Sequence, residues 1–314
     1  MKIKIAVVGA GNHANAVHYP SLASFKDVEI IANCDLNSQK LNSTANKYSI
    51  KKRYSNYRKM IEETSPDGIY LIGPPHEMYD AWIWCLEKGL NICIEKPMGI
   101  TLHQAKILNY LSKKNGSITQ VSFQRRSCPL LKKLKDKCLK NGPISHAVCK
   151  FYKNSRYPFL QAKDHMMDDG VHSIDTLRWI CGGEIKNIKS VNKNLNVPDI
   201  NLITAILEFD NGSLGILINN WTSGRRLFEV EIHSPGICVE VNPEDKGVLY
   251  KDNDITGKIY DTKIVSDGNE LYEYGGFKSK NREFIDAIIN NTNPESSFND
   301  SLKTMEIAEK ILHN

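Results

Sequence analysis

The run Ile3-Lys4-Ile5-Ala6-Val7-Val8 passes without a break into Gly9-Ala10-Gly11-Asn12-His13-Ala14. A short apolar, β-branched run suits a strand buried on both faces of a parallel sheet. G-x-G-x-x-A directly after such a strand is an accepted variant of the dinucleotide fingerprint. Gly9 allows a tight turn, Gly11 lets the backbone approach a pyrophosphate, and Ala14 lets the next helix pack closely on the strand. The helix N-terminus offers free N–H groups and a partial positive charge to phosphates. Alone the pattern is weak, but context supports it. A second strand, Val28 to Cys34, ends in Asp35, 24 positions after Gly11. That is near the interval expected for a carboxylate on the adenosine ribose. Such a carboxylate repels a 2′-phosphate, and Leu36 and Asn37 bring no arginine to offset the repulsion, so NAD is favoured over NADP. The other role open to Asp35 is N-cap of the following helix.

Strand and helix continue to alternate. The pattern predicts a helix over 57–63, a strand over 68–72 and a helix over 79–88 closed by Gly89. A strand over 90–94, a helix over 101–114 and a strand over 118–123 follow. This alternation implies a doubly wound parallel sheet, a Rossmann-type α/β domain. Each strand end carries a motif: the Gly-rich loop, Asp35, Pro74-Pro75-His76, Glu95-Lys96-Pro97, and Gln124-Arg125-Arg126. Ligands of open parallel sheets bind outside the carboxyl ends of the strands. A charged pair such as Glu95-Lys96 is costly there unless something uses it. A lysine so placed can hold a substrate oxygen and move a proton; a surface Glu-Lys pair beside a turn proline is the bland alternative.

The length of 314 residues allows about two domains, and the 41% apolar and 25% charged content is that of an ordinary globular protein. The net charge of +5 is mild and scattered. The basic stretch 132–137 reads as the wet face of an amphipathic helix, so no nucleic-acid partner is expected. No stretch approaches the roughly 20 apolar residues of a membrane span, and the N-terminal apolar run is too short for a signal peptide. None of the eight cysteines forms a C-x-x-C pair or a zinc spacing, so no metal is expected. Several lie in apolar runs, which favours a reducing, cytoplasmic setting.

From residue 124 the pattern changes to period-2 strands, at 146–152, 203–209, 213–221 and 228–233. Asp210-Asn211-Gly212 supplies a hairpin signal between two of them. The division expected is 1–123 for an NAD-binding domain and 124–314 for a substrate-binding and oligomerisation domain. The latter is α+β with an open, largely antiparallel sheet and ends in helices over 281–290 and 301–312. A helix over 168–179 places Asp168, His172, Asp175 and Trp179 on one face. His172 suits general acid/base work, and Asp168 can orient it or hold a hydroxyl. The bland alternative is a core histidine hydrogen-bonded to Asp175. His165 is a rival acid/base, and a metal on Asp168, His172 and Asp175 is a weak third reading.

The Gly-rich loop, the Pro-Pro pair and Glu95-Lys96-Pro97 match in type, order and spacing those of the Gfo/Idh/MocA oxidoreductases, relatives of glucose–fructose oxidoreductase and inositol 2-dehydrogenase. The chain resembles that family over both halves. The resemblance implies that Lys96 contacts the substrate hydroxyl and the nicotinamide ribose. It also implies that Asp168 and His172, which match the family's Asp-x-x-x-His motif, complete a catalytic trio, and that the second-half sheet mediates a homodimer or homotetramer. Cofactor contacts are expected from Gly9, Gly11, Asn12, His13, Asp35, Pro74, Pro75, His76, Glu95, Lys96 and Gln124. Substrate contacts are expected from Arg125, Arg126, Tyr157, Asp168 and His172. The segment before the Asp-His helix departs from the family's small, Gly-rich sequence; Ala162, Lys163, Asp164, His165, Met166 and Met167 stand there, so the substrate cannot be carried over from one relative. The expected reaction is hydride transfer between NAD and a hydroxyl-bearing carbon of a sugar, cyclitol or related polyol, in either direction. The rivals are glycoside hydrolysis through transient oxidation and a non-catalytic NAD(H) sensor.

Overall fold

In a computed structural model that describes residues 2–155 and 163–313, the chain divides into two compact units. One comprises Met1–Phe123 and Phe277–Leu302, the other Gln124–Gly276 and Lys303–Asn314. Nothing in the sequence marks the return of 277–302, which lies inside the stretch 124–314 that reads as one continuous second half.

The first unit is built on a six-stranded sheet. Its strands are β1 (Ile3–Val8), β2 (Val28–Cys34), β3 (Lys52–Tyr54), β4 (Gly68–Leu71), β5 (Ile92–Ile94) and β6 (Thr119–Val121), in the order β3-β2-β1-β4-β5-β6. All five pairings are parallel. This is the doubly wound Rossmann order, whose strand order reverses beside β1. Because the strands are parallel, the residues after β1, β2, β4 and β5 all emerge at one edge. Val7, Tyr70 and Cys93 are fully buried, as a sheet covered on both faces requires. The late helix Phe277–Asn290 contributes Phe284, Ile285 and Ala287 to the same apolar cluster as Ile5, Val7, Tyr19 and Tyr70. The helix after β4 runs Pro75–Glu87, one turn earlier than the predicted start at 79. Pro75 occupies the first turn, where its missing N–H and fixed φ are favourable.

The second unit carries an eight-stranded sheet. Its strands are β7 (His146–Asn154), β8 (Ile185–Lys193), β9 (Leu202–Phe209), β10 (Leu214–Asn220), β11 (Thr222–Ser234), β12 (Ile237–Val241), β13 (Lys246–Lys251) and β14 (Lys258–Asp261), ordered β14-β13-β12-β11-β7-β10-β9-β8. Among the described residues of this sheet, only β7 and β10 pair in parallel. The predicted hairpin joins β9 to β10, and Gly212 there takes a left-handed φ of +85°. Helices Pro129–Asn141 and Val171–Cys181 cover one face. The first buries Leu130, Leu131, Leu134 and Cys138 and leaves Lys132, Lys133 and Lys140 exposed, while Lys135 donates to the Trp179 carbonyl at 2.7 Å. Val191, Ile206 and Leu214 remain exposed on strands β8 to β10. Among the described residues no helix is long and apolar enough to cross a membrane.

Candidate functional site

The turn after β1 is shaped by backbone contacts. Gly9 has φ of +103°, and a Cβ there would lie 2.0 Å from the Ile72 carbonyl oxygen, so only glycine fits. Gly11 is different. A Cβ at Gly11 would meet no heavy atom within 4 Å. Packing within the chain does not require glycine there; a ligand approaching the backbone closely would. The loop is braced from behind, because Asn15 Nδ2 donates to the Ala10 and Gly11 carbonyls at 3.0 and 3.2 Å, and the Tyr19 hydroxyl donates to the Gly9 carbonyl at 3.1 Å. This open, braced loop at a helix N-terminus fits a pyrophosphate.

Asp35 lies at the next strand end. Its Oδ2 accepts from the Ala10 N–H at 2.7 Å and its Oδ1 from the Asn37 N–H at 2.7 Å. The N-cap of the following helix is Asn37, whose Oδ1 accepts from the Lys40 N–H. Asp35 therefore does not act as the cap; its carboxylate stands against the Gly-rich loop, partly exposed.

After β5, Glu95 and Lys96 are half-buried and Pro97 and Met98 are buried. The Lys96–Pro97 peptide is cis. Glu95 Oε1 lies 2.8 Å from His18 Nε2 and 3.3 Å from His13 Nε2. Burial alone would raise the Glu95 carboxyl; the two imidazoles outweigh it and hold it well below the usual range. Burial likewise opposes charge on His13, but the Glu95 carboxylate prevails and raises its pKa. The charged residue at this strand end thus answers to two histidines. His18 is fully buried and its Nδ1 contacts Asn281 Oδ1 at 3.2 Å. Neither His18 nor Asn281 is predicted from sequence as a site residue. The visible signal was a second histidine five positions after His13. At the end of β4, Pro74 precedes the helix, Pro75 is buried in its first turn, and His76 is exposed beside Glu77.

In the second unit, Gln124, Arg125 and Arg126 form a short 3₁₀ turn. Gln124 is half-buried. The Arg125 guanidinium lies 3.5 Å from the centre of the Phe228 ring and is buried. Arg126 is buried too, and its Nε and Nη2 donate to Asp175 Oδ2 and Oδ1 at 2.7 and 2.5 Å. Thr304 donates to the same carboxylate at 3.3 Å. Asp175 and Arg126 therefore serve as a core ion pair, and Asp175 leaves the predicted functional face.

The predicted Asp-His helix begins differently from expectation. Met166–Gly170 forms a π turn, with the Val171 N–H donating to the Met166 carbonyl, and the regular helix runs Val171–Cys181. Asp168 lies in the π turn and is half-buried, whereas His172 is in the first turn of the α-helix and 7% exposed. Such turns are frequent at functional positions. Asp169, which no motif marks, pairs with Lys153 of β7. His165 is fully buried, with Nδ1 against Asp199 and Nε2 3.2 Å from the Ser155 carbonyl; both nitrogens have structural partners. Tyr157 lies outside the described residues.

The Rossmann model of an NAD-binding oxidoreductase family matches residues 3–123, and the C-terminal domain model of the same family matches 142–235. The chain belongs to the Gfo/Idh/MocA family. Two curated proteins similar to the chain are D-glucoside 3-dehydrogenase of Escherichia coli (strain K12) and myo-inositol 2-dehydrogenase of Thermotoga maritima. The first is 24% identical over 200 residues, covering 60% of this chain and 56% of its own length. The second is 24% identical over 232 residues, covering 69% and 68%. A dehydrogenase from Chromobacterium violaceum has the same fold, with a TM-score of 0.89 at 20% identity over 99% of this chain and 95% of that one. Gfo/Idh/MocA membership makes this an NAD-binding oxidoreductase.

Proposed function

We propose that the protein is a dehydrogenase that moves a hydride between NAD and a secondary hydroxyl of a sugar, cyclitol or related polyol. The observation that carries this reading is Gly11, a glycine with open space where its Cβ would be, in a loop braced to receive a pyrophosphate. The relatives named for glucoside and inositol oxidation support the substrate class. NAD supplies the hydride chemistry when bound. Gly9, Gly11, Asn12 and His13 hold its phosphates through the loop, and Asp35 takes the ribose hydroxyls. Pro74, Pro75, His76 and Gln124 are the further proposed contacts.

Lys96 stabilises the alkoxide that develops as hydride leaves the carbon. His172 or Lys96 takes the hydroxyl proton, and Asp168 orients the substrate or the imidazole. Arg125, stacked on Phe228, remains a substrate-side candidate. Arg126 is committed to Asp175 and acts through the packing of the second unit. The test is NADH absorbance against a panel of sugars, inositols and sugar acids, with NADP as the second arm. Net NADH should appear with at least one free polyol, with much weaker activity on NADP. Products of glycosidic cleavage without net NADH would favour the hydrolytic rival, NAD binding with no reaction the sensor, and equal rates on NADP would remove Asp35 from the argument.

The exposed Val191, Ile206 and Leu214 on the open sheet face support assembly through that sheet as a homodimer or homotetramer. Light scattering on the purified chain should return two or four times its mass; a monomer would refute this. The free cysteines, seven of them buried, suit a cytoplasmic setting. Fewer than eight titratable thiols in unfolded protein from its own cells would count against it.

A further inference from the structure

We infer that His13, His18 and Glu95 form a binding site for a divalent first-row transition ion of the zinc or cobalt type. The three side chains each offer one ligand atom, and these atoms lie within 4.8 Å of one another. Tetrahedral zinc, with bonds of 2.0–2.1 Å to nitrogen and oxygen, sets ligand atoms about 3.3 Å apart. Glu95 Oε1 is 3.3 Å from His13 Nε2, the tetrahedral separation, and 2.8 Å from His18 Nε2, which would move outward to take an ion. Three protein ligands leave a fourth position for water or a ligand oxygen. Two imidazoles and one carboxylate select zinc, cobalt or nickel over magnesium or calcium.

Two further observations point the same way. The first is backbone geometry. On an α-helix, residues five apart stand about 140° apart around the axis. Residues Ala14–His18 instead form a π turn, in which the Tyr19 N–H donates to the Ala14 carbonyl, and the widened turn brings His13 and His18 to one side. Their rings meet edge to face at 5.7 Å. The second is the shell behind His18. His18 Nδ1 lies 3.2 Å from Asn281 Oδ1, and its Nε2 lies 2.8 Å from Glu95 Oε1. A ligating histidine whose other ring N–H is held by a carbonyl oxygen is the usual outer-shell arrangement of metal sites. An ion here would tie the Gly-rich loop to the end of β5.

The experiment uses the whole protein, treated with EDTA, desalted and held at pH 8, where protons compete least. Co²⁺ is titrated by visible absorption and Zn²⁺ by calorimetry, on the wild type, His13→Ala and Asn281→Ala. His13 is half-exposed, so its removal leaves the fold intact; an unchanged thermal midpoint without metal verifies this. One ion per chain is expected, with a tetrahedral-type Co²⁺ spectrum. Binding should fall about 10–100-fold in Asn281→Ala and at least as far in His13→Ala. Absence of saturable Co²⁺ or Zn²⁺ uptake by the wild type would overturn the proposal. So would equal affinity in His13→Ala, which would place the ion on thiols or elsewhere, and so would magnesium binding as tightly as zinc.

Discussion

Replacing Lys96 by methionine is expected to lower turnover at least about a hundredfold while NADH binding, followed by fluorescence, stays close to the wild-type value. Methionine keeps most of the unbranched stem and removes the ammonium group, so packing beside buried Pro97 and Met98 is largely retained. A positioned proton-transfer group contributes roughly 10²–10⁴ in rate, and a hundredfold loss corresponds to about 2.7 kcal/mol of transition-state stabilisation. If Lys96 acts on the developing alkoxide, the loss falls on kcat and kcat/KM together rather than on KM alone. Near-normal turnover would exclude Lys96 from the chemistry. A large loss of NADH affinity would make it a cofactor anchor.

The second large effect concerns stability. Asp175→Ala should destabilise the second unit by about 3–5 kcal/mol, since it leaves the buried Arg126 charge without the carboxylate that holds it. The pair is 5% and 1% exposed, so water cannot replace the missing partner. The double substitution Arg126→Met with Asp175→Leu removes both charges and should recover most of that loss. Hydrogen exchange of the amides in Val171–Cys181 is the appropriate measurement, because two compact units make a single global unfolding free energy hard to define. An Asp175→Ala protein as stable as the wild type would show that the ion pair contributes little. A double variant worse than the single one would show that its geometry, rather than its charge balance, holds the helix.

The two folds were legible for different reasons. In the first unit β1, β2, β4 and β5 are short apolar runs closed by turn chemistry, and the Gly-rich loop fixes which strand comes first; the polar edge strand β3, Lys52-Arg53-Tyr54, carries no such mark. In the second, period-2 alternation and Asp210-Asn211-Gly212 announced antiparallel strands. The parallel pairing of β7 with β10 left no local mark, because it depends on which strands become neighbours. The π turns at Ala14–His18 and Met166–Gly170 were invisible, since an i→i+5 bond requires no particular residue. For the same reason nothing local singles out His18: helical periodicity points it away from His13. The Arg126–Asp175 pair joins residues 49 apart in sequence, and each alone resembled a site residue. Candidates that stand next to glycine or proline in a turn were easier to read, because their backbone requirements are local.

The return of Phe277–Leu302 to the first unit has a consequence for synthesis. The outer edge of β6 is finished by late residues: the Val121 N–H donates to the Ser296 carbonyl, and the Ser296 hydroxyl donates to the Val121 carbonyl. The Gln120 amide likewise reaches the Lys280 carbonyl. Between Phe123 and Phe277 the ribosome must make the 153 residues of Gln124–Gly276, about 8–30 s at 5–20 residues per second. Throughout that interval the nascent Rossmann sheet carries an unfinished edge strand and lacks Phe284 and Ile285 from its core. The whole second unit, except its last helix, emerges while the first is still waiting to close.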